Sequence, residues 1–234
     1  MSQLQANLAR VQEQIANAAA RASRNPNEIT LVAVSKTHPI EIILEAYAAG
    51  LRHFGENRVE EAAEKIPVIN PQVQGIVWHL VGHLQSRKAK DAAALFDIVH
   101  SIDSVSLAQK LDARAAALGK TIPILLEVNT SGEATKFGFA LNAKETFFDA
   151  VRQILECPHL DVQGLMTIAP IVEKPEHARP YFRALRELRD ELQQRFPHRA
   201  WQHLSMGMTD DFEAAIAEGA TIVRIGRAIF GERK

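Results

Sequence analysis

Eight short apolar runs, each followed by a helical stretch, divide the 234 residues into units of about 29. Strands alternating with helices at this spacing call for parallel pairing, and eight such units fit a closed barrel better than an open sheet. The runs are Ile29 to Lys36, His53 to Asn57, Val77 to Gly82, Asp97 to Asp103, Pro123 to Asn129, Leu160 to Ile168, His203 to Gly207 and Thr221 to Phe230. Helical patterns fill the gaps, for example Lys144 to Leu155 and Glu176 to Arg195. No GxGxxG follows the first run, which removes the usual signature of a dinucleotide fold. One helix precedes the first strand: Leu4, Leu8, Val11, Ile15 and Ala19 form a single apolar stripe, and Asn25-Pro26 stops it. The expected fold is an α/β (β/α)8 TIM barrel with an additional N-terminal helix, one domain over residues 1–234.

Composition narrows the function classes. At 47% hydrophobic the chain can bury one sizeable core. With 27 basic and 28 acidic side chains the net charge is −1, which gives no electrostatic case for nucleic acid or an anionic membrane. The Arg87-Lys88-Ala89-Lys90 cluster reads as the solvated start of a helix. A single cysteine, Cys157, forms no internal disulfide and lies at an expected helix end with no catalytic motif around it. No apolar run approaches the length of about 18 residues needed for a membrane span, and Arg10 interrupts any signal-peptide pattern. The cytoplasm is the expected compartment.

In such barrels the site lies at the C-terminal strand ends, where this chain collects its polar residues. Alternation puts Val32, Val34 and Lys36 on one face of the first strand. If the valines fill the barrel, Lys36 enters the mouth, where loss of solvation frees its amine to attack an aldehyde. A lysine that turns outward is the competing reading. In the last strand Arg224 and Gly226 share a face with Ile222, and backbone near Gly226 can approach a phosphate. Ser205 and Thr209, in SMGMTDD, precede a helix whose N-terminus favours an anion. Phosphate sites after strands seven and eight recur in these barrels. His79 and His83 lie four apart on a strand and loop rather than on a helix, so structural roles are expected over metal ligation.

These motifs carry a resemblance. AVSKT around Lys36, FGEN at 54–57, WHLVGHLQSRK at 78–88, the SGE and KFG pieces of 129–138, GLMTIAP at 164–170, LSMGMTDD at 204–211 and VRIGRAIFG at 223–231 are similar to those of the YggS/PROSC family of pyridoxal 5′-phosphate (PLP) homeostasis proteins. The matches run nearly end to end. Leu80 and Arg87 depart from the residues usual there, at positions the resemblance does not make essential. The family itself resembles the barrel domain of alanine racemase. The resemblance implies that Lys36 forms a Schiff base with PLP and that Arg224 faces the pyridine nitrogen. It implies that Ser205 and the backbone of Gly226 and Arg227 hold the phosphate, with Thr209 assisting. Asn57 and Met166, with Ile168 nearby, would surround the ring, and Lys136 matches a lysine proposed to take up or pass on PLP.

Three functions follow for comparison. The first is a PLP carrier in intracellular PLP homeostasis, monomeric, serving PLP-dependent apoenzymes and without robust turnover. The second is a PLP-dependent amino-acid racemase or lyase, which needs a second acid–base group facing Lys36 that the sequence does not name. The third is a Schiff-base aldolase without PLP. An arginine at the pyridine nitrogen disfavours its protonation and so weakens the ring as an electron sink, which favours the carrier. The chain also has no residues after the eighth strand for the β domain that racemases add.

Overall fold

The computed structural model describes residues 2–231. Its centre is a closed ring of eight parallel strands: β1 (Thr30–Val34), β2 (His53–Glu56), β3 (Val77–Leu80), β4 (Ile98–Ile102), β5 (Ile122–Asn129), β7 (Leu160–Met166), β8 (His203–Ser205) and β9 (Ile222–Ile225). β1 pairs with both β2 and β9, and β4 pairs with β5, which closes the ring. A two-residue strand outside it, β6 (Phe139–Ala140), pairs with the end of β5. Helices α2 (Ile40–Ala48), α3 (Val59–Ile69), α4 (Ala89–Leu95), α5 (Val105–Ala117), α6 (Lys144–Leu155), α7 (Arg179–Arg195) and α8 (Phe212–Ala217) separate the strands. The expected (β/α)8 barrel is the observed one.

The expected N-terminal helix is α1 (Gln3–Arg21), started by a capping box between Ser2 and Gln5. Its stripe Leu4, Leu8, Val11, Ile15 and Ala19 is buried, packed against α8 and the short α9 (Arg227–Phe230). The Asn7 amide donates to the carbonyl of Ile229 at 3.1 Å, tying the start of the chain to α9.

Two layers of side chains divide the core by strand alternation. Phe54, Trp78, Val99, Ile124 and Val223 point out to the helices. Val32, Val81, Leu125, Met166 and Ile222 fill the barrel, with Val34 against them. Several strands end sooner than the apolar runs suggest. The eighth run was expected to remain a strand to Phe230, but β9 stops at Ile225 and residues 227–230 are helical. The amides of Ile229 and Phe230 donate to the Gly226 carbonyl, so the chain turns out of the sheet at the glycine. A short apolar run does not by itself distinguish strand from buried helix. Likewise β1 stops at Val34 and Lys36 sits in a turn, where Thr37 takes φ of 66°.

Candidate functional site

Lys36 lies two residues beyond the inward-facing Val34, half-buried at the C-terminal mouth. The turn that carries it is held from outside the barrel by a buried polar cluster. Lys65 on α3 donates to the Ser35 carbonyl at 3.0 Å, to Glu56 at 3.1 Å and to Glu61 at 2.5 Å. The Ser35 hydroxyl donates to Glu56 at 2.8 Å, and Glu61 accepts from the Thr37 amide. Burial pushes the Glu56 carboxyl above the usual range, against the pull of Lys65 and Ser35. Ser35, Lys36 and Thr37 are thus anchored on both sides of the lysine, and Asn57 follows Glu56 at the same rim. A Cβ at Gly82 would fall 2.3 Å from the Asn57 carbonyl oxygen, so only glycine lets the ends of β2 and β3 meet.

Arg224 rises from β9 into the barrel and is buried. Its guanidinium donates to the Ser205 hydroxyl at 2.7 Å and to the Thr167 carbonyl at 2.9 Å. Among the described residues no carboxylate is within ion-pair distance of it; Asp211 and Glu127 act on it only from farther off. Burial lowers its pKa to about 10, so it stays a cation at neutral pH. On the other side of Ser205 lie three histidines in series, His100, His79 and His53.

Glu127, on β5, is a residue that the sequence reading missed. Leu125, Glu127 and Asn129 share the inward face, and Glu127 is only 5% exposed. Its Oε2 has no hydrogen-bond partner. Burial raises its pKa to about 7, helped by the charge of Asp103 and opposed by Arg224. The signal was present as an acidic residue in an otherwise apolar strand, PILLEVN, at an inward position.

Beyond β5 the chain makes an excursion to β6. Asn129 organises it: its Oδ1 accepts from the Ser131 hydroxyl and the Gly132 amide, and its Nδ2 donates to the carbonyls of Glu133 and Lys136. Phe137 at its tip stacks on His83, with ring centroids 3.6 Å apart. Lys136 pairs with Glu133 at 3.0 Å and reaches the Ile168 carbonyl at 3.4 Å. A cavity of about 130 Å³ separates Glu127 from Lys136, Phe137 and Ile168, and a larger one of about 540 Å³ lies within the excursion itself.

The remaining expected residues are spread over the β8 and β9 ends. Met166 is in the barrel beside Val32. Gly226 approaches Val34, and a Cβ there would lie 3.1 Å from the Val34 carbonyl oxygen. Arg227 is exposed and pairs with Asp210, while Thr209 is half-buried in the loop that follows β8. The Ser205 hydroxyl accepts from Arg224 and lies 2.9 Å from His100 Nδ1. His79 is inside the barrel and His83 is on the rim beside Asp103, at 3.3 Å. Among the described residues no group of three His, Cys, Asp or Glu is placed to hold a metal, and no helix is long and apolar enough to cross a membrane. Cys157 is buried at the end of α6, and burial raises its thiol pKa.

This arrangement matches known proteins over nearly its whole length. The family model described as alanine racemase, N-terminal domain, matches residues 6–234. A pyridoxal phosphate homeostasis protein of Aquifex aeolicus is 47% identical over 228 residues, covering 97% of each chain. One from Escherichia coli K12 is 42% identical over 238 residues, covering 100% of this chain and 98% of its own. The structure of PipY of Synechococcus elongatus with PLP bound superposes with a TM-score of 0.81 at 39% identity, over 93% of this chain and 100% of that one. With the barrel, its mouth lysine and its buried arginine all in place, the chain belongs to the family of pyridoxal phosphate homeostasis proteins, which shares the alanine racemase N-terminal domain.

Proposed function

We propose that this chain binds PLP at the barrel mouth as a Schiff base on Lys36 and takes part in PLP homeostasis by holding and delivering the cofactor. The observation that carries this reading is the pairing of an anchored lysine at the rim with a buried arginine that lacks a directly paired carboxylate. PLP supplies an aldehyde for a lysine, an aromatic ring nitrogen and a phosphate dianion. The donors fit those groups. Lys36 takes the aldehyde, and Arg224 faces the ring nitrogen. Thr209 and the backbone of Gly226 and Arg227 receive the phosphate, with Ser205 holding Arg224. Asn57 and Met166 border the ring. Lys136, on the excursion after β5, meets PLP as it enters or leaves. The 47% identical relative of matching length bears the homeostasis name, and a 39% identical neighbour was solved with PLP.

The carrier reading disfavours robust turnover on electrostatic grounds. Arg224 is a cation at neutral pH, and a second positive charge on the facing ring nitrogen would be repelled. The ring then withdraws electrons weakly, and carbanion chemistry is disfavoured. The racemase or lyase reading gains one observation, because Glu127 is an acid–base group on the inward face.

Borohydride reduction of the PLP-treated protein, followed by peptide mapping, tests the anchor. The label is expected on Lys36 and is expected to vanish in Lys36→Ala with the fold intact. Retention of the label at equal yield overturns the assignment. Two further assays on one preparation separate carrier from enzyme: solvent deuterium exchange at Cα across a panel of amino acids, and reactivation of a PLP-dependent apoenzyme. Rapid exchange that is lost in Lys36→Ala supports the enzyme; reactivation without exchange supports the carrier.

A further inference from the structure

The interior of this barrel contains a polar file that the cofactor reading does not use. His53 Nδ1 lies 3.0 Å from His79 Nε2, His79 Nδ1 lies 2.9 Å from His100 Nε2, and His100 Nδ1 lies 2.9 Å from the Ser205 hydroxyl. His79 and His100 are 0% exposed and His53 is half-buried on the opposite side from the rim, at the start of β2. The Ser205 hydroxyl then accepts from Arg224 at 2.7 Å.

Proton counting gives this file one direction. A guanidinium only donates, so Ser205 must accept from Arg224. The serine has one proton, and among the described residues its only other side-chain partner is His100. Were His100 to donate as well, the serine proton would be left buried without an acceptor, which costs about 1–3 kcal/mol. Every site is satisfied when Ser205 donates to His100 Nδ1. His100 Nε2–H then donates to His79 Nδ1, and His79 Nε2–H donates to His53 Nδ1. Each ring accepts at Nδ1 and is neutral. Burial, with the neighbouring histidines and Arg224, depresses the pKa of His79 and His100 and keeps them so.

We propose that His100, backed by His79 and His53, is a positioning residue for the PLP site: its Nδ1 accepts a hydrogen bond from the Ser205 hydroxyl and so presents the serine oxygen as a fixed acceptor for Arg224. The guanidinium has one other hydrogen-bond partner, the Thr167 carbonyl. Two acceptors at fixed places set its plane and direction. The inference rests on the assignment of Arg224 to the ring, but its structural core, the tautomers, does not require PLP.

Two measurements test it. The first is nitrogen-15 NMR of the ligand-free chain at neutral pH. All three rings are expected to carry their proton on Nε2; a proton on His100 Nδ1 overturns the proposal. The second compares PLP retention in His100→Leu and His100→Asn, in each case beside the melting temperature and the visible spectrum of the loaded protein. Asparagine still offers an oxygen near the Nδ1 position. We expect about tenfold weaker retention and a shifted absorbance maximum in His100→Leu. His100→Asn should stay within about threefold of the parent, with an unshifted maximum. Equal retention and spectra in all three proteins overturn the proposal, as does weakening that follows melting temperature alone. If the leucine variant does not fold, Ser205→Ala takes its place, because it removes the same acceptor for Arg224. Failure of the parent to bind PLP would sink the functional reading, and the NMR result would still decide the direction of the file.

Discussion

Lys65 reaches from α3 to the carbonyl of Ser35, 3.0 Å away, and so fixes the residue that precedes Lys36. The same ammonium is the cation for Glu56, which is 0% exposed. Removing one partner of such a pair leaves an uncompensated charge, a loss of about 3–5 kcal/mol. Lys65→Met is therefore expected to lower stability by about that much in urea titration. The double variant Lys65→Met/Glu56→Gln should recover a large part. A double variant no more stable than Lys65→Met would show that the cost is not electrostatic.

Glu127 should make the protein less stable as pH rises from about 4.5 to 7. Its folded pKa of about 7 lies above the ordinary carboxyl value of 4.5, so the folded state holds the extra proton between those values. Stability falls with pH wherever the folded state binds more protons, by an upper bound of about 3 kcal/mol here. Glu127→Gln is expected to raise the urea midpoint at pH 8 and to change it little at pH 4.5. An equal effect at both values would argue against a titrating Glu127.

The buried histidines act in the opposite direction. His79 has a folded pKa of about 3 against the ordinary imidazole value of 6.5, lowered by burial and then by His53 and His203. The unfolded chain takes up its proton first, so stability drops as pH falls below 6.5 and the loss is complete near 3. Between pH 6.5 and 5, where ordinary carboxylates stay ionised, the urea midpoint of the parent should decline more steeply than that of His79→Gln. Parallel slopes would contradict a neutral buried His79.

The excursion over the mouth depends on the four hydrogen bonds of Asn129. Asn129→Ala should leave the melting temperature nearly unchanged, since residues 132–135 and Phe137 are exposed. Limited proteolysis should then cut within 130–138 several-fold faster than in the parent. An unchanged rate would mean that the Phe137–His83 stack holds the segment by itself.

Pyridoxal, which lacks the phosphate, should bind at least tenfold more weakly than PLP. The motive is the close approach of backbone at Gly226 and the half-buried Thr209 in the loop that follows β8. Equal affinities by titration would show that the phosphate is not recognised there.

The sequence by itself determined the barrel, because eight alternations of strand and helix leave few other closed packings, and it determined α1 through one apolar stripe. It also placed Val32 and Val34 on the inward row that leads to Lys36, since side-chain direction along a strand has period two. Strand ends were legible only roughly. At Gly226 the shift from β9 into α9 depends on backbone bonding that an apolar run does not encode. The tertiary structure alone decided which polar residues meet. His53, His79, His100, Ser205 and Arg224 come from five strands and up to 171 positions apart, 224 less 53. Only closure of the ring makes them one file. The same holds for Glu127, whose environment depends on Asp103 and Arg224 from two other parts of the barrel. A strand pattern fixes which way a side chain points; the partner it finds there is set by the strands across the lumen.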